Sequence, residues 1–556
     1  MSENLFAKHT ATLEGALAAI HSRDYFSPWS ENPSPRAYGE TAAADGEAAF
    51  NAHLNQPFEL EMPGITGRSG SEVSPYGIEL NVQYPAVDMD VLLPAMEATR
   101  KVWRDQGVEG RTGICLEILD RLNKRSFEIA HAVMHTSGQG FMMAFQAGGP
   151  HAQDRGLEAV VYGYETMAGV PAQATWTKPQ GKHDPLVMEK KFTVCGRGVA
   201  LVIGCSTFPT WNTYPGLFAS LVTGNPVVVK AHPAAALPAA ISVKVAQEVL
   251  KEQGLPPHIV SLYVDADAAK PETMELAQRP EVKLIDFTGN TAFGDWLEQN
   301  CPQAQVYTEK AGANTIVIDS TDDFKGMVRN LAFTLSLYSG QMCTTTQDIF
   351  VPKDGIDTDL GHKSFDEVAE AIAGGVTKFL SDPDRAAMVL GAIQSEATAQ
   401  RIEDSKNLGT VVRDSEKLTH PQFENARVYS PLIMTIDAEK EDVWGQELFG
   451  PISFIVRSDS REHSIELARN VVKKHGAITM GCYSSDDAQL EKIEEAALDA
   501  CVALSINLTG GVFVNQSAAF SDFHGTGGNP AANASLSDYA FVANRFRFVQ
   551  SRRHPK

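Results

Sequence analysis

Three observations predict a doubly wound α/β fold. Short apolar runs recur through the middle of the chain, at residues 199–203, 227–229, 282–287 and 315–318, without the polar alternation of half-solvated strands. Strands buried on both faces have this texture. The stretches between them carry helix signals, as in the alanine-rich segment after Lys230 that stops at Gly254 and two prolines. Each run also gives way to a glycine- or polar-rich turn. Strands alternating with helices build a parallel sheet, and such sheets bind ligands at the carboxyl ends of their strands.

The bulk properties bound the function. A chain of 556 residues exceeds what one core spans, so at least two domains are expected. Its net charge of −22 argues against nucleic acid and anionic membrane surfaces as partners. Seven scattered cysteines include no C-x-x-C pair, which argues against zinc ribbons and thioredoxin-like motifs and suits a reduced, cytoplasmic setting. No metal-ligand spacing is evident in the linear sequence. The N-terminus lacks a basic segment followed by an apolar run, and no stretch approaches the roughly 18 to 20 apolar residues of a membrane helix.

Taken in order, residues 1–75 are an irregular extension with a short helix predicted near Leu13 to Ile20. Its Phe and Trp residues predict packing on the body. Helices follow from Asp88 to Gln139, with Val91, Met96 and Val102 on one face, then Ile118, Leu119 and Leu122, then Phe127, Ile129 and Val133; Gly138 is the stop signal. The first buried strand leads into the loop Cys205-Ser206-Thr207-Phe208-Pro209-Thr210-Trp211, and a short apolar helix is predicted from Gly216 to Val222. The second buried strand ends in Lys230. The third runs into Thr288-Gly289-Asn290-Thr291-Ala292-Phe293-Gly294. A glycine turn that follows a strand and opens a helix offers free N–H groups to an anion, although this one is not G-x-G-x-x-G.

The next strand ends at Glu309, ahead of Lys310-Ala311-Gly312. Then comes Tyr338-Ser339-Gly340-Gln341-Met342-Cys343, on a loop entering another strand. A thiol there can face a cleft, but free Cys is among the most buried residue types, so the pattern alone assigns no role. Glu447 and Phe449 lie in the compact turn Trp444 to Pro451, and His524 in a late glycine-rich loop.

In this order the motifs resemble the aldehyde dehydrogenase superfamily. They are Phe208-Pro209, the Gly224 to Lys230 strand, the Phe287 to Gly294 turn, Glu309 with Gly312, Gly340 to Cys343, and Glu447 to Pro451. Glu309 and Cys343 stand 34 residues apart, the family's usual spacing. The long extension and the motif deviations look most like the aldehyde dehydrogenases of phenylacetate degradation (the PaaN type). The resemblance implies a Rossmann-type dinucleotide-binding domain (residues 76–177 and 198–308), a catalytic domain (309–524) and a small β oligomerisation arm (178–197 and 525–556). The arm would use a strand over residues 178–195 and another near Phe541 to Val549 in a homodimer or dimer of dimers. Cys343 would attack an aldehyde as thiolate, and hydride would pass to a nicotinamide. Glu309 would then activate the water that hydrolyses the thioester. Lys230 would hold the adenosine ribose, Gly289, Asn290 and Gly294 the pyrophosphate, and Glu447 the nicotinamide ribose with Phe449 beside the ring. The implied substrate is an aldehyde, of the class of semialdehydes from aromatic-ring cleavage, free or CoA-linked.

Two positions depart from the family pattern. Thr207 stands where the family places an asparagine that donates to the oxyanion, so either Thr207 takes that role, the favoured expectation, or Asn212 does. Pro233 replaces an acid common in NAD enzymes three residues after the ribose-binding lysine, and with His232 beside it the expected cofactor is NADP, with NAD the alternative. Cys205 is expected to be packed, and His524 to be a loop or substrate-wall residue. Two other functions stay open: a CoA-acylating dehydrogenase, against which Glu309 weighs, and a catalytically silent protein on this fold, against which Cys343, Glu309 and Glu447 weigh.

Overall fold

The computed structural model describes residues 4–267 and 271–555. Five parallel strands form the first sheet, in the spatial order Val260–Tyr263, Val227–Lys230, Val199–Ile203, Val282–Thr288, Gln305–Glu309. The order reverses beside Val199–Ile203, and a crevice opens outside the strand ends at such a reversal. The expected helices are present: Leu237–Glu252 covers this sheet, and Tyr214–Val222 is buried along its whole length.

The second sheet has seven strands, in the order Thr410–Arg413, Leu432–Asp437, Ile452–Ser458, Thr346–Pro352, Asn314–Ile318, Thr479–Tyr483, Ala503–Ile506. All pairs are parallel except the first, at the edge. A third, antiparallel sheet joins Gln173–Gln180 and His183–Gly196 to the distant Phe546–Arg553. This sheet stands off the body, with Trp176, Leu186, Phe548 and Val549 exposed. Among the described residues no helix is long and apolar enough to cross a membrane.

Three local expectations need correction. Val91 is 45% exposed, because Met89–Arg104 turns Leu92, Leu93, Met96 and Trp103 inward instead. The C-terminal strand begins at Phe546, not Phe541: the Asp538 side chain accepts from the Phe541 N–H at 2.7 Å and starts the short helix Tyr539–Ala543. The glycine turn is shorter than its two glycines suggest. The Asn290 side chain caps the Thr291–Asn300 helix by accepting from the Phe293 N–H at 2.9 Å, and Gly294 lies inside that helix against the Lys310 stem.

The N-terminal extension is docked. Thr10–Ser22 forms a helix, His21 pairs with Glu165 at 2.7 Å, and Phe26 meets Phe520 edge-on at 5.4 Å. Ser27 Oγ donates to Asp154 at 3.0 Å. The segment after this helix is therefore held against the Pro150–Ala168 helix and the loop around Phe520.

Candidate active site

The loop before Cys343 is bent by three consecutive residues with positive φ: Tyr338 (53°), Ser339 (47°) and Gly340 (63°). Two of them carry side chains, so this backbone is strained and must be held by its surroundings. Tyr338 donates to the Ser137 carbonyl at 2.6 Å, and Ser339 Oγ to the Leu390 and Tyr429 carbonyls at 3.0 Å each. Gly340 is required, since a Cβ there would stand 2.3 Å from the Gly450 carbonyl. On the other side of the cysteine, the Asn314 amide donates to the carbonyls of Cys343 and Thr345 at 2.8 and 3.0 Å. The nucleophile candidate is thus fixed at the mouth of the second sheet.

Glu309 ends the last strand of the first sheet and is 5% exposed. His524 Nε2 lies 3.1 Å from Glu309 Oε1 and 3.5 Å from Cys343 Sγ. The Asn212 amide donates to Glu309 Oε2 at 3.2 Å. The 524–536 loop is held over this cluster: the Lys310 N–H donates to the Ala531 carbonyl at 2.6 Å, and Trp211 packs edge-on against His524 at 4.6 Å. Burial pushes the Glu309 carboxyl up, but the His524 imidazole, the Cys343 thiol and the Arg155 charge together hold it below its ordinary value. Burial pushes the Cys343 thiol well up, and the Glu309 carboxylate pushes it further. The resting pair is therefore thiol and carboxylate, with an acceptor in place for the thiol proton.

Cys343 opens on two clefts. One, of about 690 Å³, runs from Lys230 past Gly289, Asn290 and Phe293 to Glu309, Glu447 and Phe449. The residues expected for the dinucleotide share this cleft, with the exception of Gly294. The Thr291–Asn300 helix points its N-terminus at the cleft, and Glu447 and Phe449 close its far end, so the lining fits a dinucleotide. Lys230 is buried and pairs with Asp265 at 2.8 Å, an acid just past the end of the neighbouring strand. His232 is pushed down to about 4, by burial first and then by the Lys230 charge, and its Nδ1 accepts from the Ala234 N–H at 3.2 Å. Burial raises Glu447 to about 7.

The other cleft, of about 560 Å³, passes between Phe208, Trp211, Phe333 and Met342 to a polar mouth at Glu31 and His151. Tyr25, Phe26 and Ser27 of the N-terminal extension form part of its wall. Thr207 lines only the first cleft, and its carbonyl accepts from Gln139 at 2.8 Å, whereas Asn212 lines both. Cys205 lines the first cleft, donates its S–H to Asn212 Oδ1 at 3.5 Å and is pushed up to about 11 by burial. Sequence reasoning missed Asp265 and the contacts of His524 with both Cys343 and Glu309. Neither carries a local signal, since their neighbours in space come from other strands.

Residues 79–529 match the model of the aldehyde dehydrogenase family, and the chain belongs to that family. A crystal structure of an NAD-dependent aldehyde dehydrogenase from Burkholderia multivorans is 56% identical, with a TM-score of 0.98 over all of both chains. The 1-pyrroline-5-carboxylate dehydrogenase of Bacillus subtilis is 22% identical over 86% of this chain and 90% of its own. The benzaldehyde dehydrogenase [NAD(+)] of Pseudomonas putida is 23% identical over 75% and 77%. The protein is an NAD(P)-dependent aldehyde dehydrogenase with the fold of that family.

Proposed function

Taking membership of the aldehyde dehydrogenase family as the premise, we propose that this enzyme oxidises a bulky, largely apolar aldehyde to its acid with NAD, through Cys343 and Glu309. The observation that carries the proposal is the contact cluster of Cys343, Glu309, His524 and Asn212 at the junction of the two clefts. Cys343 Sγ attacks the carbonyl carbon as its proton passes to Glu309. Asn212 uses one amide N–H on Glu309 and has the second to donate to the oxyanion; this favours Asn212, which lines both clefts, over Thr207, which lines the cofactor side and not the aldehyde side. The dinucleotide, when bound, supplies the hydride acceptor. Collapse of the thiohemiacetal leaves a thioester on Cys343. Glu309, once it has passed its proton on to solvent, takes one from the water that attacks this thioester. His524 holds the carboxylate in place for both transfers.

Support for NAD over NADP comes from Lys230. Its charge is already compensated by Asp265, so a 2′-phosphate, carrying about −1.5 to −2 charge, would meet a neutral pair, with His232 uncharged at pH 7. Ribose hydroxyls, by contrast, have both a donor and an acceptor there. The acid missing at Pro233 is supplied from another strand. The 56% identical Burkholderia multivorans protein, described as NAD-dependent, points the same way.

The substrate cleft supports an apolar body next to the aldehyde and a polar group at the mouth, the shape of a semialdehyde from aromatic-ring cleavage such as phenylacetate degradation yields. No Lys or Arg lines this cleft among the described residues, which favours the free semialdehyde over a CoA thioester with its phosphates. The test is a panel of free and CoA-linked semialdehydes and aromatic aldehydes, followed by reduced-nicotinamide absorbance with NAD and with NADP. Higher kcat/KM with NAD and a free bulky aldehyde supports the proposal. A preference for NADP, or for CoA as acyl acceptor, overturns it.

A further inference from the structure

Glu309, Cys343 and His524 come from three separate elements, and each offers one ligand atom within 4.8 Å of the others. Their arrangement is not that of a proton relay. In a relay the imidazole uses one nitrogen for the thiol and the other for the carboxylate. Here the same atom, His524 Nε2, faces both Cys343 Sγ (3.5 Å) and Glu309 Oε1 (3.1 Å), while Nδ1 points away with no protein partner among the described residues. With the imidazole proton on Nδ1 and the thiol deprotonated, three lone-pair donors converge on one point.

The distances suit a particular ion. With Zn–S of about 2.3 Å and Zn–N and Zn–O of about 2.0–2.1 Å, tetrahedral geometry separates S from N by about 3.5 Å and N from O by about 3.4 Å. The observed 3.5 and 3.1 Å need shifts of only a few tenths of an ångström, and the third pair, Cys343 Sγ and the Glu309 oxygen, lies within 4.8 Å. Thiolate, imidazole and carboxylate are also the three donor types zinc accepts, whereas magnesium and calcium select oxygen. Cys343 lines both clefts, His524 the aldehyde side and Glu309 the cofactor side, so an ion can reach the cluster from solvent.

We propose that Cys343, His524 and Glu309 form a reversible inhibitory site for zinc. Binding replaces the thiol proton by the metal and releases it to solvent; the Nε2 proton that bonds the Glu309 carboxylate is given up as well, by exchange through solvent to the tautomer protonated at the unpartnered Nδ1. No atom changes oxidation state. The metal-bound sulfur is withdrawn from attack and the carboxylate from water activation, so zinc and aldehyde exclude one another. Inhibition rests on the catalytic reading above; metal binding does not, and the two are read separately.

The protein, reduced and without dinucleotide, is titrated anaerobically with Co²⁺ alone as the spectroscopic probe. An intense near-ultraviolet thiolate-to-cobalt band is expected, bleached stoichiometrically by Zn²⁺. It should vanish in Cys343→Ser and persist in Cys205→Ser. His524→Gln should weaken binding by more than about 100-fold, above the cost of losing even an outer partner of a metal ligand; thermal melting confirms that each variant is folded. In parallel, Zn²⁺ should inhibit aldehyde oxidation by the wild-type enzyme, with full recovery on adding a chelator. His524→Gln should need correspondingly more zinc for half-inhibition of its own zinc-free rate. The site is overturned if the band is missing, survives in Cys343→Ser or keeps its affinity in His524→Gln. Metal binding without inhibition overturns the inhibitory role; the catalytic reading is judged separately by Cys343→Ala without metal, which abolishes aldehyde oxidation if that reading holds and leaves it intact if that reading fails.

Discussion

The two clefts that meet at Cys343 are similar in size, about 690 and 560 Å³, but are built in different ways. The cofactor cleft is assembled mainly from strand ends: Ile203, Lys230, Thr288 and Glu309 finish successive strands of one sheet, and the turns after them supply the rest. The aldehyde cleft is assembled from segments far apart in the chain, including residues 25–31 and 511–524, and its walls are side chains on helices and loops. A parallel sheet dictates where its strand ends lie, so one cleft follows from the fold. The other is free to vary, and specificity resides there.

If this division is sound, substitutions should sort by side, with the seam affecting everything. Cys343→Ala belongs to the seam and should lower kcat by at least about 10⁴-fold, as loss of a nucleophile does elsewhere; initial rates with saturating aldehyde and NAD check it. Asn212→Ala should lower kcat by about 10²–10³-fold, the cost of one oxyanion donor, while Thr207→Ala stays within about tenfold. The reverse ranking would return the oxyanion role to Thr207.

Further from the seam the effects should be smaller and one-sided. Asp265→Asn frees the Lys230 charge, and the NAD-to-NADP ratio of kcat/KM should fall by about 10-fold or more, the scale of one close charge pair. The KM for aldehyde should not move. Phe26→Ala should raise KM for bulky aldehydes by about 10-fold, near the transfer energy of a buried aromatic side chain, and leave KM for NAD unchanged. An effect of similar size is a pH dependence. Glu447 is raised to about 7, so its carboxylate is present above pH 7 and lost below it. Cofactor KM should therefore rise by about tenfold between pH 8 and pH 6, as the ionised fraction falls, and be flat in Glu447→Gln.

The same contrast explains what could be read from the sequence. That Lys230, Glu309 and Glu447 line one cleft was legible because each sits in a short motif whose place at a strand end or turn follows from alternating strands and helices. Gly294 was misplaced because capping by Asn290 starts the helix three residues earlier, a choice made by one side-chain hydrogen bond. Asp265 was invisible: nothing near it in sequence marks an acid that pairs with Lys230 across two strands. His524 stood in an unremarkable glycine-rich loop, and only the docking of that loop on Lys310 and Trp211 brings its ring to Glu309 and Cys343. The N-terminal extension was readable as packed, from its aromatic residues, but not as a wall of the aldehyde cleft.

The central claim is that one acyl group passes through Cys343 and leaves by Glu309-assisted hydrolysis. The most direct measurement mixes Glu309→Gln with a free bulky aldehyde and NAD, and reads both the reduced-nicotinamide burst and the intact protein mass. The account predicts a single burst stoichiometric with enzyme and an acyl adduct on Cys343 that persists and is not released by added CoA. Continued turnover without a burst, or an adduct released at once by CoA, would contradict it.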